Sequence, residues 1–315
     1  MSLSPEFWIS RTANILSLIT ASFALSILLF DRSLRHALHN HIIIVLLSVV
    51  FVRSALNLFY NIYINILADL AWNPILYYLI WFFIDYALHT TQIILVVWAA
   101  IEQHILIFHD QWLRMRSKRF LLHYLPVIIL LTYSLIFFSV ITFAPFCQNS
   151  ADDILAGITT NPCSLDNEML GSWELICHHI VGICIIVLSS LTLIVRIIRQ
   201  KQRLHRSIQW RKHRKLTIQM LLTSMFYLVC DTPWVTIVFA LRYGLSYYIV
   251  AIPLTNAFML RDYVTHMYPF ISILSSSDLR HKLRRMVLCW RKRQAILPDG
   301  TILLAVTRRR QTATN

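Results

Sequence analysis

The chain has 315 residues, 57% of them hydrophobic and only 5 glycine, with a mean hydropathy of +0.60 and a formal net charge of +14. This composition excludes a soluble globular domain and a glycine-rich barrel. The basic balance, with a pI near 9.8, does not argue for nucleic acid, because the Lys and Arg residues border long apolar stretches, where they report topology and attraction to anionic lipid.

A helix needs about 20 mostly apolar residues to cross roughly 30 Å of hydrocarbon. Seven stretches qualify in chain order. Thr12 to Phe30 holds no Asp, Glu, Lys or Arg, and Met1 to Ile9 before it lacks the basic start and small-residue cleavage site of a secretory signal, so the first span is expected to be an uncleaved anchor. His41 to Ala68 carries a single charge, Arg53, and Leu70 to Ile101 carries Asp85. Phe120 to Ala151 and Leu175 to Val195 carry none; Leu216 to Leu241 carries Asp231, and Tyr243 to Ser277 carries the adjacent pair Arg261 and Asp262. The predicted fold class is an all-α membrane protein with seven transmembrane helices.

Short cytoplasmic loops carry an excess of Lys and Arg. Arg32 and Arg35 follow the first span, Arg114, Arg116, Lys118 and Arg119 the third, and seven cations between Lys201 and Lys215 the fifth. The segments after the second and fourth spans, Asn61 to Asn73 and Ala144 to Trp173, hold no Lys or Arg but do hold Asp69, Asp152, Asp153, Asp166 and Glu168. The N-terminus is therefore expected outside the plasma membrane and the C-terminus in the cytoplasm. In the acidic outer loop, Cys147 and Cys163 are candidates for a disulfide; closing the 15 residues between them would stabilise by about 3 kcal/mol through chain entropy.

After the seventh span, Leu279, Leu283 and Met286 form one apolar face among Arg280, Lys282, Arg284 and Arg285, the pattern of a short cytoplasmic amphipathic helix lying at the lipid surface. Cys289 just beyond is a candidate for palmitoylation. The membrane domain with this helix is assigned to residues 1–290, and 291–315 to a basic, polar tail.

In this layout the chain resembles the rhodopsin-like G-protein-coupled receptors. The third span ends in Glu102-Gln103-His104, similar to the family's acidic-Arg-aromatic triplet with Gln103 in place of Arg. The sixth carries Cys230-Asp231-Thr232-Pro233 against Cys-Trp-x-Pro, and the seventh Tyr268-Pro269-Phe270-Ile271-Ser272 against Asn-Pro-x-x-Tyr. The family's Cys at the outer end of the third span would fall near Tyr78, and its acidic residue of the second span near Val50, so its inter-helix bridge and sodium site are not expected. The resemblance implies an extracellular small-molecule or peptide ligand in the outer half of the bundle, signal transduction to a heterotrimeric G protein, and a switch at Glu102, Gln103 and His104, with Pro233 and Pro269 as pivots. Proline frees a backbone carbonyl and bends a helix, which suits that role.

The intramembrane charges are the candidate ligand site, since such residues usually face the bundle interior and mark a ligand, a relay or an ion pair. At 1.5 Å per residue Asp85 lies about 25 Å from Glu102, and Arg53, Asp231, Arg261 and Asp262 fall at similar depth, with Trp234 as an aromatic wall. Asp85 stands 17 residues before Glu102, the spacing at which amine-binding relatives in that family carry their Asp. A ligand ammonium could pair with it. The competing reading, which we prefer, is internal: Arg261 pairs with Asp85, and Arg53 with Asp262 or Asp231. A transporter or ion/proton pathway through the same Asp/Arg layer is the alternative function. Histidine spacing offers no metal site, no phosphate loop or nucleophile motif points to an enzyme, and no cofactor is expected.

Overall fold

The computed structural model describes residues 5–67, 74–108, 115–143, 163–204, 218–276 and 279–285. Among them there is no strand. Seven long helical runs form the unit comprising residues 1–275: α1 (Pro5–Phe30), α2 (Leu38–Leu67), α3 (residues 74–108), α4 (116–143), α5 (168–204), α6 (218–242) and α7 (Tyr247–Ser275). The first six contain segments long and apolar enough to cross a membrane. α7 has the length, with 29 residues, but Arg261, Asp262, His266 and two prolines dilute its apolar character. Arg261 and His266 are nevertheless buried, because α7 packs against α1, α2 and α6.

α3 is the central helix. It packs against α2, α4 and α5, and 61% of its span is buried against 22% for α4, whose Ile128, Ile129 and Ile136 point outward. Exposed aliphatic side chains on a spanning helix meet lipid, so their burial is not required. α5 contacts α6, which contacts α7, and the circuit closes through α1 and α2.

Local chemistry sets the ends of the helices. Asp31 caps the short helix Arg32–Arg35 by accepting from the backbone N–H of Ser33 at 2.8 Å and Leu34 at 3.3 Å, and Asn167 caps Glu168–Trp173 in the same way. α6 stops where Gly244 takes φ +102°, a left-handed conformation that a side chain resists. Arg242, two residues earlier, donates to the carbonyl oxygens of Leu165 at 2.7 Å and Glu168 at 3.0 Å, fastening the helical part of the acidic loop to the end of α6.

Four runs are interrupted by a wide, π-type turn: Phe83–Ala87 in α3, Phe120–Tyr124 in α4, Glu174–Ile180 in α5 and Tyr227–Asp231 in α6. Two of them precede a proline by two residues, Pro126 and Pro233, whose missing N–H leaves a carbonyl of the preceding turn without its usual partner. All four contain buried ionisable side chains: Asp85, His123, Glu174 with His178 and His179, and Asp231. Such insertions recur at functional sites because they re-aim side chains that a regular helix would space at 100°.

The second compact unit begins at Ser276. Its described helix covers residues 279–285 and is capped by Ser276, whose hydroxyl accepts from the N–H of Leu279 at 3.4 Å and whose carbonyl accepts from that of Arg280 at 3.0 Å. Cys147 and Cys289, and the basic segment 205–217, lie outside the described residues.

Candidate functional site

The five charges expected at one depth converge. Arg53, on α2 and buried to 1% exposure, reaches between α3 and α7. Its Nη2 lies 2.7 Å from both Asp85 Oδ1 and Asp262 Oδ1, its Nε donates to the backbone oxygen of Asp85 at 3.1 Å, and its Nη1 donates to Thr265 Oγ1 at 2.5 Å. Asn57 Nδ2, one helical turn along α2, adds a second donor to Asp85 Oδ1 at 2.9 Å. A guanidinium fits this position because its planar fork can serve several acceptors at once. Three helices are thereby joined through one side chain.

Asp231 does not join Arg53. It faces two imidazoles, with His89 Nε2 at 3.3 Å from Oδ1 and His179 Nδ1 at 3.6 Å from Oδ2. His179 Nε2 lies 2.9 Å from Glu174 Oε1, and the other oxygen of Glu174 accepts from the Tyr86 hydroxyl at 2.9 Å. His89 Nδ1 is 3.4 Å from Thr265 Oγ1, the same hydroxyl that Arg53 donates to. A continuous polar layer therefore runs from Asp262 through Arg53, Thr265, His89, Asp231 and His179 to Glu174, crossing α7, α2, α3, α6 and α5. Buried polar networks of this kind set which helices are neighbours. Here His179 makes ion-pair contacts, and among the described residues neither its two ring nitrogens nor Asp231 Oδ2 nor Glu174 Oε1 is in a hydrogen bond.

Arg261 and Trp234 sit on one side of that layer. The Arg261 guanidinium carbon is 4.5 Å from the Trp234 ring centroid and 5.0 Å from those of Tyr86 and Phe258. Its Nη2 approaches Asp85 Oδ2 at 3.8 Å, so it takes the partner expected for it, at ion-pair rather than hydrogen-bond distance. Trp234 also packs on Tyr86 and His179, in a core with Phe82, Phe138 and Leu175.

At the other end of α3, Glu102 is buried and hydrogen-bonded to His123 Nδ1 on α4, not to the adjacent Gln103. His123 Nε2 meets His41 Nδ1 of α2 at 3.1 Å, and His41 Nε2 lies 2.8 Å from the Arg35 carbonyl. Gln103 is buried with its Oε1 unpartnered, and His104 Nε2 reaches the Ser189 carbonyl of α5 at 2.8 Å. Pro233 opens the upper part of α6, directly after the Tyr227–Asp231 turn, and Pro269 lies inside α7. Pro253, nearer the start of α7, is a third such interruption.

Sequence reasoning passed over Glu174 and Thr265, and weighed His89, His123 and His179 only as metal ligands before setting them aside. His89 follows Asp85 by one helical turn and so shares its face, which is a readable signal. Glu174 falls between the acidic loop and the fifth span in the sequence, and His178 and His179 at the start of that span; all three are buried within the wide turn at Glu174–Ile180. Among the described residues Cys177, Cys184 and Cys230 are free thiols. Among the described residues no group of three or more His, Cys, Asp or Glu is arranged to hold a metal ion.

By sequence the chain matches no family model and no curated protein. By structure it is similar to squid rhodopsin, at a TM-score of 0.68 and 12% identity, over 90% of this chain and 82% of that one. The fold is thus a helical bundle similar to that of squid rhodopsin, and the chain is a multi-pass membrane protein.

Proposed function

We propose that the chain is a seven-helix receptor, not an enzyme, that binds an extracellular small-molecule or peptide ligand among Arg53, Asp85, Asp231, Trp234, Arg261 and Asp262 and signals to a heterotrimeric G protein. The observation that carries this reading is the convergence of five spanning helices on one buried polar layer, within a fold similar to squid rhodopsin. A ligand that favours one arrangement of α6 and α7 shifts a pre-existing equilibrium, with Pro233 and Pro269 as the bends about which those helices pivot. The G-protein surface lies at the Glu102–His104 end of α3 and the basic segment between α5 and α6. The bias of Lys and Arg supports an outside N-terminus, a cytoplasmic C-terminus and residence in the plasma membrane. A Cys147–Cys163 disulfide in the outer loop and a palmitoylated Cys289 at the membrane surface belong to the same proposal.

The test is ligand-panel nucleotide exchange by a promiscuous G protein in membranes carrying the native chain or Asp85→Asn at matched surface level. Ligand-dependent exchange by the native chain supports the reading. Its absence, together with ionic current through bilayers containing the protein alone, would replace the receptor by an ion or proton pathway through the polar layer. Against such a pathway stands the next stretch of α3, where Ile93, Leu95, Val96, Ala99 and Ala100 line the interior.

A further inference from the structure

Two arginines are completely buried in the polar layer, and their surroundings differ. Arg53 is saturated by two carboxylates, a carbonyl and a hydroxyl. Arg261 has 0% exposure, yet among the described residues Nε, Nη1 and Nη2 all lack a hydrogen-bond acceptor. Its nearest carboxylate oxygen is Asp85 Oδ2 at 3.8 Å, and the other oxygen of Asp85 is taken by Arg53 and Asn57. The other acids of the layer have contacts of their own: Asp262 accepts from Arg53, Asp231 from His89 and Glu174 from Tyr86, with His179 at ion-pair distance from the last two acids.

Trp234, Tyr86 and Phe258 lie against the guanidinium. Aromatic faces offset part of the cost of removing the cation from water, but a ring face offers nothing to donors that point out along the guanidinium edge. In a low-dielectric interior those donors are costly to leave unmet. A planar group with two oxygens matches the fork, which is why carboxylates and guanidinium pair in bidentate fashion. The three rings belong to an apolar and aromatic cluster that also holds Phe82, Phe83 and Leu254.

We propose that Arg261 anchors the carboxylate of a ligand whose remainder is apolar, an aliphatic or aromatic monocarboxylic acid. This deepens the receptor reading and rests on its ligand site. It also reverses the sign of the ligand expected from Asp85 alone, since one carboxylate oxygen of Asp85 already accepts from both Arg53 and Asn57. An amine would compete with two cations, Arg53 and Arg261, for Asp85; an acid would find a prepared cation.

The purified full chain in lipid nanodiscs is melted with benzoate, hexanoate and decanoate, with the matched amides and amines, and with chloride. At least one carboxylate is expected to raise the melting temperature of the native protein saturably, while amides, amines and chloride do not. Arg261→Gln should weaken that shift at least tenfold, and Arg261→Lys, which keeps the charge without the fork, should lie between. In ligand-free buffer Arg261→Met is expected to melt no lower than the native chain, because it removes a charge that lacks a close partner. The proposal is overturned if no carboxylate shifts the native protein, if the shift survives Arg261→Gln, or if ligand-free Arg261→Met is clearly less stable. Nucleotide exchange is measured in parallel. Carboxylate binding without exchange refutes the receptor reading alone, and exchange driven by amines with no carboxylate binding refutes this inference alone.

Discussion

The two ends of α3 treat buried charge in different ways. Near Asp85 the counter-charge is a guanidinium, fixed between three helices and engaged at every nitrogen. Near Glu102 it is an imidazole, His123, relayed to a second imidazole, His41, on α2. A guanidinium always carries its charge and offers five donors; an imidazole offers one or two, and exchanges roles with its neighbours. The first arrangement is suited to holding helices in register, the second to being broken and remade. Perturbing the Asp85 end should therefore cost mainly stability, and perturbing the Glu102 end mainly the conformational balance.

The largest effect is expected at the guanidinium. Arg53→Met strands Asp85 and Asp262 in the interior, and breaking a buried ion pair on one side typically costs about 3–5 kcal/mol. Thermal or denaturant unfolding in nanodiscs should show that loss, and adding Asp85→Asn and Asp262→Asn to the same chain should recover most of it. A lone Arg53→Met as stable as the native chain would show that the three-helix junction does not hold the fold. Asp231→Asn should cost less, about 1–3 kcal/mol, since the amide oxygen still accepts from an imidazole while the charge is lost.

At the other end the readout changes. His123→Phe removes the donor to Glu102 and the link to His41, and is expected to raise ligand-free nucleotide exchange several-fold while lowering stability by about 1 kcal/mol. Gln103→Arg tests the same balance from the opposite side. Glu102 Oε2 and Gln103 Oε1 are both buried without partners, so an arginine at 103 brings a charged donor to an acid with an oxygen to spare. Lower ligand-free exchange than native is the expected outcome; an unchanged rate would remove Gln103 from the switch.

How much of this was legible in the sequence follows from the length scale of each signal. Span-length apolar runs carry the seven helices, and single charges within them carry the depth of the layer, because a charge in hydrocarbon has few allowed explanations. Which acid meets which base depends on helix rotation, and the wide turns alter that rotation locally. The turn at Phe83–Ala87 includes Asp85, and the one at Tyr227–Asp231 ends on Asp231, which meets His89 and His179 in place of Arg53. Pro126 and Pro233 mark two of the four turns in the sequence; the turns at Asp85 and Glu174 have no such mark. The missing Arg at position 103 is visible, but its replacement as partner of Glu102 by a histidine on the next helix, 21 residues from Glu102, is not.

The smallest effect lies between the two ends and separates them. Thr91 Oγ1, on α3 six residues past Asp85 and eleven before Glu102, is 2.6 Å from Ser134 Oγ of α4 and also donates to the Ala87 carbonyl within its own helix. Hydrogen bonds between spanning helices contribute about 0.6 kcal/mol on average, because each partner finds alternatives in the unfolded but inserted chain. Thr91→Val should therefore lower stability by about that amount, read from unfolding in nanodiscs, and leave ligand-free exchange at the native level. A several-fold rise in exchange would mean that the whole length of α3 is conformationally coupled. In that case the Glu102 end owes its lability to α3 as a body, and the contrast between guanidinium and imidazole would not be its cause.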